Sequence, residues 1–255
     1  MIYIGYDLVV SAAEKKVDFF KSNKIAYFIS SALAGMYVGI CMITILVMAG
    51  MLNDFAGIKI IQGASFAAAL SLVVFAGAEL FTGNVFVMTA GIMHNKVKFR
   101  DAAALCSYCY LGNFIGAVII AALFLGTGYL QGSVLLEATA AISAKVTPSV
   151  IELLVRGIMC NLLVCLAVWS VFRLKSESGK LIMIFWCIYI FVVCGFEHSI
   201  ANMTLFSLGT MARCSPIDSM LLNLLVTTIG NIIGGVALSL AYCSMAKKPV
   251  GTQES

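Results

Sequence analysis

A chain of 255 residues that is 62% hydrophobic, only 11% charged and +1.03 in mean hydropathy carries more apolar surface than one soluble core can hide. It is read as an all-α membrane protein. Its formal charge of +4 comes from basic residues that flank apolar runs and gives no reason to invoke nucleic acid.

At the N-terminus, Glu14, Lys15, Lys16 and Asp18 interrupt the stretch before an apolar core can form, so no signal peptide is expected. Val9, Val10, Ala13, Val17 and Phe20 recur at helical spacing. Residues 1–25 are therefore predicted as a cytoplasmic amphipathic helix lying against the membrane surface. Six charge-poor runs follow, Ala26 to Leu52, Ile60 to Met93, Ala102 to Leu130, Leu153 to Phe172, Leu181 to Ala212 and Ser219 to Ala246, each long enough to cross a bilayer. Residues 26–130 make a first three-helix unit and 151–246 a second, joined by an extracytoplasmic connection over 131–150. A short cytoplasmic tail is expected over 247–255.

The second run spans 34 residues with Glu79 as its only charge. A straight helix of that length is about 51 Å long against a hydrocarbon core of about 30 Å. Gly77, Gly83 and Gly91 favour a break near Glu79. The fifth run, with Gly195 and Glu197 inside it, repeats the anomaly. Such breaks are tolerated where irregular backbone lines a cavity.

Twelve of the sixteen lysines and arginines fall in 15–24, 96–100, 173–180 and at Lys247 and Lys248, on the side of the termini. Lys59, Lys145 and Arg213 fall opposite, and Arg156 lies near the start of the fourth run. This bias places both termini in the cytoplasm, with the chain multi-pass in the inner membrane. The nine cysteines lie mostly inside apolar runs, where a thiol acts as a small apolar group, so no disulfide framework is expected. Cys106 and Cys109 form a C-x-x-C without nearby histidines, read as one helix face and not as a metal or redox site. No metal or other cofactor is expected.

A duplication emerges on comparing the two breaks. Gly77-Ala78-Glu79 is followed by Asn84, and Gly195-Phe196-Glu197 by Asn202, at an offset of 118 residues. Gly112-Asn113 through Gly116 and Gly230-Asn231 through Gly234 keep that offset, as do Gly39-Ile40 and Gly157-Ile158. With three spans per unit, the second unit enters the membrane upside down, an inverted 3+3 repeat with broken second and fifth helices. Half-helix N-termini meeting near the midplane suit an anion, although exposed carbonyls suit a cation equally well.

The segments Ala78-Glu79-Leu80-Phe81-Thr82-Gly83-Asn84, Gly195-Phe196-Glu197-His198-Ser199-Ile200-Ala201-Asn202 and Cys160-Asn161 through Trp169 resemble the formate/nitrite transporter family, over nearly the whole chain. That resemblance implies an aquaporin-like protomer in a homopentamer within membrane lipid, passing small monovalent anions such as formate, nitrite or hydrosulfide. It assigns Leu80, Phe81 and Thr82 to an omega-shaped loop and His198 to the centre of the pore. Phe66, Leu70 and Phe191 match constriction residues, Asn161 and Val164 fourth-span pore residues, and Lys145 the lysine near the outer vestibule.

Physical chemistry supplies roles. An anion entering an apolar constriction loses water at a cost of several kcal/mol. His198 can hold positive charge beside it or protonate it, so that a neutral acid crosses. Thr82 can donate a hydrogen bond, and Lys145 can raise the local anion concentration. Glu79 and Glu197 would repel anions in a pore, so they are expected to be structural, accepting hydrogen bonds from backbone N–H groups freed at the breaks near Asn84 and Asn202. Competing readings are a proton-coupled secondary transporter, an aquaporin-type neutral pore, and an intramembrane enzyme using Glu197 and His198. Against the enzyme, His94 is the only other histidine and no framed nucleophile motif stands out.

Overall fold

The computed structural model describes residues 2–52, 55–214 and 216–246, which are helical with short links and no strand. The tail expected over 247–255 lies outside the described residues. The helices are α1 (Ile2–Ser22), α2 (Lys24–Met51), α3 (Ile58–Phe66), α4 (Ala68–Phe75), α5 (Phe81–Met93), α6 (Phe99–Gly126), α7 (Gly132–Val146), α8 (Val150–Arg173), α9 (Glu177–Val193), α10 (Ser199–Met211) and α11 (Ile217–Ala246). Five stretches are long and apolar enough to cross a membrane: α2, α3 with α4, α6, α8 and α11. Their outward faces are apolar too, with Leu123, Leu221 and Leu225 each more than half exposed, as a hydrocarbon or protein surround requires.

The two long runs break where glycine and glutamate predicted. The second divides into α3, α4 and α5, with residues 76–80 unwound, and the fifth into α9 and α10, with 194–198 unwound. Both upstream helices end in the same way. Gly77 (φ 72°) and Gly195 (φ 69°) take the left-handed conformation that a side chain resists. Beside them, Ala78 N–H bonds to Val73 O and Phe196 N–H to Phe191 O, both at 2.9 Å, the six-to-one bond of a Schellman cap.

Two elements add to the expectation. The amphipathic face of α1 is buried, with Val9, Val10, Ala13, Val17 and Phe20 all inside. It is buried against the neighbouring helices α5, α8 and α11. The connection read over 131–150 contains the 15-residue helix α7, whose Val134, Ala138 and Ile142 form a buried stripe at four-residue spacing.

Close packing resets one register. A Cβ on Gly112 would meet Phe28 O at 3.2 Å, and one on Gly116 would strike Ala32 O; on Gly230 it would meet Leu154 O at 2.5 Å, and on Gly234 it would strike Ile158 O. The α6 and α11 positions differ by 118, whereas their partners on α2 and α8 differ by 126. The helix caps agree, since Asn23 caps α2 and Ser149 caps α8. Gly39 and Gly157 are therefore not packing equivalents. The difference of eight residues is absorbed mostly by a longer α2 and a longer link after it.

Candidate functional site

Each break is held by one asparagine from a neighbouring helix. Asn113 of α6 accepts the Phe81 N–H on Oδ1 (3.0 Å) and donates through Nδ2 to Glu79 O (2.9 Å) and Ser31 O (2.7 Å). Asn231 of α11 accepts the Ser199 N–H (2.9 Å) and donates to Glu197 O (2.9 Å) and Gly157 O (2.8 Å). A primary amide is suited to this task because it offers donors and an acceptor together, matching both the freed carbonyl and the freed N–H of an interrupted helix. The Glu79 and Glu197 N–H groups bond to Ser30 O and Arg156 O, at 3.3 and 3.2 Å.

The carboxylates are therefore not spent on backbone N–H groups, contrary to expectation. Glu79 accepts from Lys16 at 2.6 Å on both oxygens, from Asn84 at 2.9 Å and from Tyr27 at 3.1 Å. Glu197 accepts from Lys145 at 3.1 and 3.0 Å and from Asn202 at 2.6 Å. An ammonium neutralises a buried carboxylate, which backbone dipoles alone do not. Lys16 sits on α1 and Lys145 in the last turn of α7, so each counterion comes from the helix that precedes its unit's first long helix. Asn84 and Asn202 complete the pairs from five residues downstream, which explains the spacing of the repeated motif.

Between the breaks lies a row of three cavities with shared walls. On the α1 side, a near cavity of about 230 Å³ is lined by Lys16, Glu79, Leu70, Leu80 and neighbouring apolar groups. On the other side, a far cavity of about 250 Å³ is lined by Lys59, Lys145, Arg156, Glu197, Phe66, Phe191, His198 and others. A central void of about 10 Å³ separates them, walled by Leu70 and Leu80 towards the near cavity and by Phe66, Phe191 and His198 towards the far one; Val164 completes its lining with other apolar side chains. Among the described residues, a larger apolar cavity of about 320 Å³ between α6, α10 and α11 shares no lining residue with these three and has no ionisable group.

Among the described residues, His198 is the only ionisable side chain lining the central void. It occupies the N-cap of α10, with Nδ1 accepting the Ala201 N–H at 3.2 Å and Nε2 3.1 Å from Thr82 Oγ1. The N-cap bond assigns the proton of the neutral ring to Nε2, which then donates to Thr82. Thr82 keeps its own hydroxyl proton for another acceptor. The Phe191 ring stacks on the imidazole (5.9 Å between centroids, 20°), and Phe66 meets Phe191 edge-on (6.0 Å, 84°).

The remaining residues singled out in the sequence stand behind this path. Phe81 packs edge-on against Tyr110 (4.9 Å, 75°) and lines none of the three cavities. Asn161 is fully buried and donates to Thr82 O (3.2 Å) and Asn231 O (2.6 Å), fixing the loop rather than facing the void. Lys145 reaches the far cavity with its charge committed to Glu197. Sequence reasoning gave no role to Asn113, Asn231, Lys16 or Tyr27. The repeated glycine-asparagine motif was the available signal for the two asparagines, whereas nothing local marks Lys16 as the partner of a residue 63 positions away.

Two cavities meeting at a narrow apolar waist, with one imidazole in its wall and an apolar exterior, define a membrane transport protein. The chain belongs to the formate/nitrite transporter family, whose sequence model matches residues 5–245. It is 37% identical over 229 residues to the nitrite transporter NirC of Escherichia coli (strain K12), covering 87% of this chain and 84% of that protein. Among solved structures, an FNT family ion channel superposes with a TM-score of 0.88 at 33% identity, covering 94% of this chain and 98% of that one. A pentameric formate channel with formate bound gives a TM-score of 0.74 at 27% identity, over 86% and 96% of the respective chains. These relatives are transporters and channels, not enzymes.

Proposed function

We propose that the chain is a channel for small monovalent anions, formate, nitrite or hydrosulfide, with passage linked to protons through His198. The observation that carries this reading is the waist itself, an apolar void whose single ionisable wall group is hydrogen-bonded to Thr82. The chain then crosses the inner membrane six times as an inverted repeat, by α2, α3 to α5, α6, α8, α9 with α10, and α11. Both termini are cytoplasmic, which makes the near cavity the cytoplasmic mouth. Five copies assemble in the lipid, one path each, as the pentameric relative suggests.

In this mechanism the anion sheds water on entering the ring of Phe66, Phe191, Leu70 and Leu80, at a cost of several kcal/mol. The Thr82 hydroxyl, which lines none of the three cavities, holds the His198 ring in orientation through Nε2 at 3.1 Å. The neutral ring accepts a second proton only at Nδ1, so protonation requires release of the Ala201 cap. An imidazolium formed in that way returns to neutral imidazole on giving one proton to the anion, which crosses as its weak acid.

Nitrite, formate and hydrosulfide uptake into proteoliposomes across pH 5 to 8 tests the reading. His198→Asn is expected to slow uptake and flatten its pH profile. Unchanged rates and profile in that variant would remove His198 from the mechanism.

A further inference from the structure

Helix α10 carries His198 at one end and turns two faces outward from it. Ala201, Asn202 and Leu205 line the far cavity, whereas Met203, Phe206 and Thr210 on the opposite face line the apolar cavity of about 320 Å³ between α6, α10 and α11. That second lining runs from Met203 to Met211 and, on α11, from Ile217 to Leu224, about 12 Å and about 10 Å along the helices. It therefore follows most of one leaflet of hydrocarbon, which is about 15 Å deep. Phe114 and Leu221 on its edge are exposed, so it opens sideways as a groove.

The lining says what kind of occupant fits. Close pairing with a helix of a second copy needs small residues at the contact, and a face of that kind lies elsewhere, at Ala64, Ala68 and Ser71. The groove instead has three methionines, Met203, Met211 and Met220, which repack around a flexible chain. Its outer end carries charge. Arg213, in the link between the lining residues Met211 and Ile217, is exposed and enters none of the ion pairs among the described residues. It sits left-handed (φ 58°) in a Schellman cap closed by Cys214 N–H on Gly209 O at 2.8 Å. The equivalent cap 118 residues earlier uses Asn95 (φ 56°), a residue type that tolerates this conformation better than arginine does. The positive charge is thus kept on this rim at a backbone cost. Asp218, exposed in the first turn of α11, adds one negative charge. Of the charges on α7, which packs on both α10 and α11, Lys145 is spent on Glu197 and Glu137 makes no ion pair with Arg213.

We propose that this groove seats one acyl chain of a zwitterionic phospholipid from the far-side leaflet, with the phosphate on Arg213 and the headgroup ammonium towards Asp218. An apolar slot along the leaflet, capped at its outer end by one charge of each sign, complements such a lipid from tail to headgroup. The occupant braces α10 on the face turned away from the far cavity, and so supports the half-helix that places His198.

The test titrates the full chain, purified in a maltoside detergent, with palmitoyl-oleoyl-phosphatidylethanolamine and counts bound lipid by native mass spectrometry. One saturable lipid per chain is expected, with phosphatidylglycerol, which lacks the ammonium, bound about threefold more weakly. Arg213→Gln should weaken phosphatidylethanolamine about fivefold, the upper end for an exposed ion pair, and Arg213→Lys should retain it. Asp218→Asn should remove the preference between the two headgroups. Ser207→Phe and Leu224→Phe each fill the groove, and each should abolish the site while leaving the lipid-free melting temperature close to that of the parent. Absence of a saturable lipid overturns the proposal, as does a saturable lipid that survives both filling variants. Affinity unchanged by Arg213→Gln overturns the headgroup assignment. Lipid held by separated chains but excluded from the assembled oligomer overturns the proposal too, because a second copy then covers the groove.

Discussion

The break at Glu79 and the break at Glu197 are built from the same parts and finished differently. Both have a Schellman glycine, a carboxylate, an asparagine five residues on, a clamping asparagine on the next long helix and a lysine from a peripheral helix. At the near break Glu79 has the extra donor Tyr27, and the next helix restarts at Leu80 with no side-chain cap. At the far break the position equivalent to Tyr27 is Leu153, and the helix restarts at His198, whose own ring caps it. The shared parts solve a backbone problem that any interrupted helix in hydrocarbon faces. The restart residue is not among those shared parts, and there the two breaks divide into an apolar wall and an imidazole that also caps its own helix.

The largest expected effect comes from removing a counterion. Lys16→Gln and Lys145→Gln each strand a buried carboxylate, a loss of about 3–5 kcal/mol. Lys145→Gln should be the worse of the two by thermal unfolding in detergent, since Glu197 is the more buried carboxylate and has one other side-chain donor against two for Glu79. Adding Glu79→Gln to Lys16→Gln should restore most of the melting temperature. A single lysine variant as stable as the parent would show that the pair does not hold the break.

Next come the clamps. Asn113→Leu and Asn231→Leu each leave two carbonyls and one N–H without their partner, with an expected loss of about 2–4 kcal/mol. The two losses should be similar, because each amide makes the same three backbone hydrogen bonds, with the Cys109 thiol contact to Glu79 O at 3.3 Å an addition at the near break. Unequal melting temperatures would mean that the correspondence is geometric and not energetic.

The smallest effect tests where the breaks differ. Tyr27→Phe removes one hydrogen bond to Glu79 and the acceptor of one from Asn84, about 1 kcal/mol. It should weaken the near break only, read as faster hydrogen exchange in residues 76–80 with 194–198 unchanged.

These comparisons show what sequence can carry. The breaks were legible because their causes are local: an over-long apolar run, a glycine at the stopping point and a glutamate that hydrocarbon rejects. The amphipathic face of α1 was legible for the same reason, but not what it packs against. Helix α7 was missed although its apolar stripe is regular, because 15 residues between two spans read as a connection. The Lys16–Glu79 pair depends on folding that brings distant segments together, and no spacing rule encodes it. The register of 126 between α2 and α8 was hidden because their alignment is set by glycine contacts on α6 and α11, not by any motif the two helices share. At the waist, His198 stood out as an ionisable group in an apolar run and Thr82 was carried by the family resemblance, whereas the turn of Phe81 towards Tyr110 is a packing outcome.

The size of the central void has a consequence for energy conservation. About 10 Å³ with apolar walls leaves room for roughly one water molecule. Proton hopping needs an unbroken file of hydrogen-bonded waters, and the ring of Leu70, Leu80, Phe66 and Phe191 interrupts any such file. On the proposed anion-channel reading, the closed waist thus blocks proton hopping along water and leaves a proton to cross only together with its anion.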